Sequence, residues 1–93
     1  MMSKIPGDLR KLGREVLDAE IARIGVIAEL DAINLYEQLA AMTRNGQLRK
    51  VLLDIAKEEK THVGEFLEML RREDAEQVRE LLEGKKEIEE ILG

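Results

Sequence analysis

From Asp8 to Arg72, apolar residues recur every three or four positions, and the recurrence breaks once, at Asn45-Gly46. That period belongs to amphipathic helix rather than strand, and Asn-Gly is a turn signal. The single proline, Pro6, lies ahead of the pattern, so no pyrrolidine ring interrupts it. Two long helices joined by so short a turn lie side by side and antiparallel, as an αα-hairpin. The pattern predicts helix one over residues 8–43, loosened at Gly13, and helix two over 47–72 with Asn45 as its N-cap. Asp74, with Gln77 three residues on, resembles a capping box. It opens a third helix over 75–92, apolar at Ala75, Val78, Leu81, Leu82, Ile88, Ile91 and Leu92 and weakened at Gly84. Residues 1–7 read as a disordered leader. The expected fold class is all-α: an antiparallel two-helix hairpin plus a shorter C-terminal helix, one domain over residues 1–93.

A hairpin alone cannot cover its own first helix. At roughly 100° per residue, Ala22, Gly25, Val26, Ala32, Ile33, Tyr36 and Ala40 surround Glu29 on one face. Leu17, Ile21, Ile24, Ala28, Leu35, Leu39 and Met42 make a second apolar face. Only a narrow wedge with Glu20, Arg23, Asp31, Asn34 and Gln38 is polar throughout. A helix apolar on most sides needs several neighbours. Helix two supplies one and helix three part of another, so the remainder predicts self-association.

Two carboxylates and the chain's only histidine break these apolar faces. Glu59 sits at the centre of the helix-two stripe of Leu48, Val51, Leu52, Ile55, Ala56, Val63, Phe66 and Leu70, and His62 stands at its edge. Burying an unpaired carboxylate costs several kcal/mol, and no Lys or Arg falls on the same stripes to offset it. A cation shared by Glu29 and Glu59 would. Glu-x-x-His places two ligands one turn apart on the same side of a helix. Ferritin-like di-iron bundles take one Glu from each of two helices and Glu-x-x-His from each of the other two. This chain carries half that set, and two copies would complete it as a four-helix bundle. Oxygen and imidazole donors without sulfur suit iron or manganese. Each residue also has a purely structural alternative: His62 as a half-exposed edge residue, Glu59 paired with Lys57 or Lys60, Glu29 paired across a helix interface, Tyr36 as packing.

Composition excludes other classes. With no cysteine, neither a disulfide framework nor thiolate metal chemistry is available, which fits a cytosolic or enclosed compartment. The net charge of -5, from 15 basic and 20 acidic residues intermixed, leaves no basic stripe for nucleic acid. No apolar run is long enough for a membrane span, and the start, MMSKIPGD, is not a signal peptide. Abundant Lys and Glu without Cys lean towards a thermophile source.

The stretches AELDAINLYEQ (28–38) and EEKTHVGEFLEMLRREDAE (58–76) resemble the encapsulated ferritin family, ferritin-like proteins held inside encapsulin nanocompartments. The resemblance covers roughly residues 15–83 and rests on a Glu on helix one, a Tyr seven residues later and Glu-x-x-His thirty residues after that Glu. It implies helical hairpins whose pairs complete a ferroxidase centre and assemble into an open, annular decamer. It implies Fe(II) and O2 as reactants, iron as a di-iron cofactor centre at the subunit interface, and mineral stored in a surrounding encapsulin shell in the cytoplasm. Carried over, Glu29, Glu59 and His62 match the di-iron ligands, and Tyr36 the tyrosine beside them. Of the acidic residues on the family's metal-access path, Asp31 retains one while Ala28 lacks the other, and Leu35 stands where the family can carry a tryptophan. The departures predict weaker or relocated ion capture and leave the centre itself intact. The family's C-terminal encapsulin-targeting extension is not evident after GKKEIEEILG; either the chain was cut or the domain is fused to a shell protein.

The expectation is thus a ferroxidase with Glu29, Glu59, His62 and Tyr36 at its centre and Asp31 as a possible access site. Its rivals are a non-catalytic helical assembly module and a passive metal-binding protein.

Overall fold

The computed structural model describes residues 14–93, which form α1 (Arg14–Met42), α2 (Gly46–Glu73) and α3 (Ala75–Leu92). No strand occurs among the described residues. The leader and the expected helical segment 8–13 lie outside them.

Side-chain capping makes the α1–α2 turn. Asn45 is extended, and its Oδ1 accepts from Gln47 N–H at 3.0 Å and Leu48 N–H at 3.1 Å. Two of the orphan amide donors that open α2 are thereby satisfied. At the end of α1, Arg49 reaches back and donates from Nε to the Ala40 carbonyl at 3.0 Å and from Nη2 to that of Thr43. One side chain thus serves the C-terminal carbonyls of α1 while sitting on α2.

Asp74 is both the last cap of α2 and the N-cap of α3. Its extended conformation, φ -141° and ψ 92°, takes the chain out of the α2 direction. One carboxylate oxygen accepts from Gln77 N–H at 3.0 Å, and the other takes the Arg23 guanidinium at 2.7 Å. Arg23 also bonds Glu20 at 3.0 Å, so α1 and the start of α3 share one charged link.

The helices of the hairpin meet through small residues. Ala19 and Ala22 of α1 are buried against Leu70, with Leu67 packed alongside. Ile33, Ala40 and Ala56 are the other buried apolar residues. Alanines let backbones approach closely, but they bury little area each, and among the described residues no large side chain is fully buried. The second apolar face of α1 remains uncovered at Ile21, Leu35, Leu39 and Met42. So do Leu48 and Val51 at the start of α2's stripe. Helix α3 covers little of this: it has no buried residue, and Leu82, Ile88, Ile91 and Leu92 all face solvent.

Candidate metal centre

Glu29 lies mid-way along α1, and Glu59 and His62 lie mid-way along α2, where the antiparallel arrangement brings the two helix centres together. His62 Nδ1 is 3.3 Å from Glu59 Oε2 and 3.5 Å from Glu29 Oε2. One ligand atom from each of the three residues lies within 4.8 Å of the other two. Atoms bound to one metal at about 2.1 Å stand roughly 3–4 Å apart, and the 3.3 and 3.5 Å separations from His62 fall in that range. Among the described residues this is the one such group of three.

Burial is partial and graded. The Glu29 and Glu59 side chains are 20% and 18% exposed, whereas that of His62 is 45% exposed. Glu29 Oε2 is the sharpest feature: it is fully shielded from solvent, yet accepts no hydrogen bond. His62 Nδ1 is within hydrogen-bond distance of Glu59, which leaves the Glu29 oxygen with nothing but the proximity of the ring. A buried acceptor without a donor is costly, and a cation is the partner that would satisfy both carboxylates and the imidazole nitrogen at once.

Two cations of the hairpin are engaged elsewhere. Lys60, one of the two candidates for neutralising Glu59, instead reaches across the hairpin to Glu37 at 3.1 Å. Arg23 is committed to Asp74 and Glu20. The hydrogen bond to Asp74 raises the Arg23 pKa above its already high ordinary value. The Gln77 N–H, then Arg23, hold the Asp74 carboxyl below the usual carboxylate range.

Clefts open onto the cluster from two sides. Glu29, Glu59, Asp31, Leu35 and Tyr36 line one. Tyr36 and Asp31 therefore share the cleft with two of the three grouped residues, as neighbours rather than members of the group. Glu29, His62, Glu65, Phe66 and Met69 line the other. Glu58 is exposed and outside both clefts.

One contact beside the cluster is absent from the helical-wheel reading. That reading places Gly25 on the Glu29 face but not against any partner; the Phe66 ring lies where a side chain at position 25 would stand. The only signal in the sequence is a glycine in the middle of an otherwise strong helix former.

Known proteins bear on this arrangement. The sequence model of the EncFtn-like family matches residues 6–85. Over 74 residues, 80% of this chain, the sequence is 55% identical to a ferritin-like-encapsulin shell fusion protein of Pyrococcus furiosus. It is 39% identical over 67 residues, 69% of this chain, to the encapsulin nanocompartment cargo protein EncC of Myxococcus xanthus. The chain spans only 21% and 52% of the lengths of these two relatives. In three dimensions it is similar to the encapsulated ferritin domain of Pyrococcus furiosus, with a TM-score of 0.77 at 47% identity, covering 97% of this chain and 86% of that one. A family match across most of the chain and a like fold over nearly all of it agree: the chain belongs to the EncFtn-like family, that of the encapsulated ferritins.

Proposed function

We propose that the protein is a ferroxidase. Two copies bring their Glu29, Glu59 and His62 together and bind Fe(II) as substrate; two Fe(II) give up one electron each, and dioxygen takes both with two protons from solvent and leaves as hydrogen peroxide. The observation that carries this reading is the convergence of two carboxylates and an imidazole, with one buried carboxylate oxygen left unsatisfied, on a hairpin whose outer apolar faces are uncovered. One chain supplies three ligand residues; a pair supplies four Glu and two His, the complement of a ferritin-like two-metal site.

Roles can be assigned residue by residue. Glu29, the one member of the group on α1, would bridge the two irons, and Glu59 and His62 would each anchor one. Hard anionic oxygens favour Fe(III) over Fe(II), which pulls the oxidation forward. Tyr36, in the same cleft, hydrogen-bonds near the centre or donates an electron transiently. Asp31 guides incoming cations towards Glu29 and Glu59 along that cleft. The pairs assemble further into an open ring. Because such a ring encloses no store, the ferric product passes to an encapsulin compartment in the cytoplasm; the shell-fusion and nanocompartment-cargo names of the relatives support this destination.

The test is aerobic Fe(II) oxidation followed by ferric absorbance, for the unaltered protein and His62→Ala. The unaltered protein is expected to exceed the uncatalysed rate, and the variant to fall by at least about tenfold. Equal rates for both at the uncatalysed level would overturn the proposal. Fe(II) binding without faster oxidation would mark a passive metal-binding protein instead.

A further inference from the structure

Gly25 precedes Glu29 by one turn of α1, and Phe66 comes one turn after His62 on α2. In the antiparallel hairpin these two residues therefore form the layer next to the ligand cluster. A Cβ placed on residue 25 would fall 2.4 Å from Phe66 Cδ1 and 2.6 Å from both Cε1 and Cγ. The ring thus lies against bare helix backbone. Cγ is the first ring atom, so no movement confined to the tip of the side chain would relieve the clash.

Stability alone does not call for this pair. Glycine weakens a helix interior relative to alanine, and an adjoining layer, Ala22 against Leu70, shows that alanine and leucine pack the same two helices. What distinguishes the Gly25 layer is its neighbour. Phe66 also walls the cleft that Glu29 and His62 share with Glu65 and Met69.

We propose that Gly25 and Phe66 are a positioning pair for the metal centre: the ring-on-backbone contact sets the α1–α2 separation that holds Glu29 at ligand distance from Glu59 and His62. The inference rests on the reading of those three residues as metal ligands. Restoring ordinary carbon–carbon contact of about 3.5 Å after adding a methyl at position 25 requires a displacement on the order of 1 Å. That is about half a metal–ligand bond. Packed interiors pass such strain on rather than absorb it, so Glu29, now 3.5 Å from His62 across the hairpin, would leave the common focus of the three donors.

The experiment uses Co(II) as the probe, titrated into metal-free protein and followed by its visible d–d bands, with thermal unfolding in chelator run alongside. The variants are Gly25→Ala, Phe66→Leu and the double variant, which recreates an alanine–leucine layer. Gly25→Ala is expected to weaken Co(II) binding by at least about tenfold and to shift the bands. The double variant is expected to recover to within about threefold, because the two changes roughly conserve volume. Should Gly25→Ala fail to fold, Phe66→Leu decides: folded protein with weakened, spectrally altered Co(II) binding supports the proposal. Wild-type affinity and band shape in the folded single variants overturn it, whatever their unfolding temperatures. An unaltered protein that takes up no Co(II) sinks the metal reading and this inference together, an outcome distinct from the preceding one.

Discussion

At Glu29 the demands of stability and of chemistry oppose one another. Its Oε2 is the one buried side-chain oxygen or nitrogen among the described residues that lacks a hydrogen-bond partner. Leaving such a group unsatisfied costs about 1–3 kcal/mol, which a bound cation would offset. Glu29→Gln removes the charge and supplies an amide N–H2 beside the Glu59 carboxylate and His62, whose ligand atoms lie within 4.8 Å of that of Glu29. In chelator, the variant is expected to be more stable than the unaltered protein by about 1 kcal/mol. In excess Fe(II) under anaerobic conditions the order should reverse, because only the unaltered protein gains binding free energy in its folded state. Paired urea titrations with and without metal measure both differences. A variant less stable than the parent in chelator would contradict the assignment of an unsatisfied charge to this position.

Among the elements, α3 is the one with no buried residue, and Asp74 is where it is fixed. The folded carboxyl is held below the ordinary range chiefly by the Gln77 N–H and then by Arg23. In the window between the folded and unfolded values the unfolded chain binds more protons, so stability rises with pH there. The contribution is fully present above the unfolded value and is lost as the pH falls through the lowered folded one. Asn at position 74 keeps a capping oxygen but forfeits the charge that meets Arg23. Asp74→Asn should therefore unfold at a lower temperature near neutrality, and the gap should close as the solution is taken into the acid range. Thermal unfolding of both proteins across pH measures it, and a gap that persists in acid would show that charge is not what links α1 to α3.

Much at this scale was legible in the sequence because it is local. The helical period, Asn45 at the turn and Asp74 three residues before Gln77 each signal over a few residues. Glu29, Glu59 and His62 were legible for a related reason: each interrupts an apolar face whose period was already clear. Two features were not. The direction of α3 turns on the extended backbone of Asp74 and on a guanidinium 51 residues earlier in the chain. The seat of Phe66 on Gly25 depends on the register between two helices, which no single-helix pattern contains.

For the whole molecule, what is unburied matters more than what is buried. Among the described residues four of the six buried apolar ones are alanines, while Leu35, Leu48, Val51 and Met42 stand exposed. Monomers rarely leave so much large apolar surface in water unless another surface covers it. Leu35 is the informative position: it is 52% exposed and lines the cleft that holds Glu29, Tyr36 and Glu59. If a second copy completes the centre there, association and turnover must share one concentration dependence. Activity per subunit should fall as the protein is diluted through its dissociation range. Leu35→Lys buries an ammonium at the proposed contact while leaving a residue of good helix propensity on the surface of α1. It is expected to keep its helical signal and to raise the concentration for half-association by at least about tenfold, equivalent to about 1.4 kcal/mol. Activity lost in dilute solution should return as the variant is concentrated, since no ligand residue has changed. Sedimentation velocity and Fe(II) oxidation on the same dilution series decide the matter. A variant that sediments and turns over like its parent at every concentration places the shared surface elsewhere. Full activity from a monomer would remove the need for a second subunit altogether.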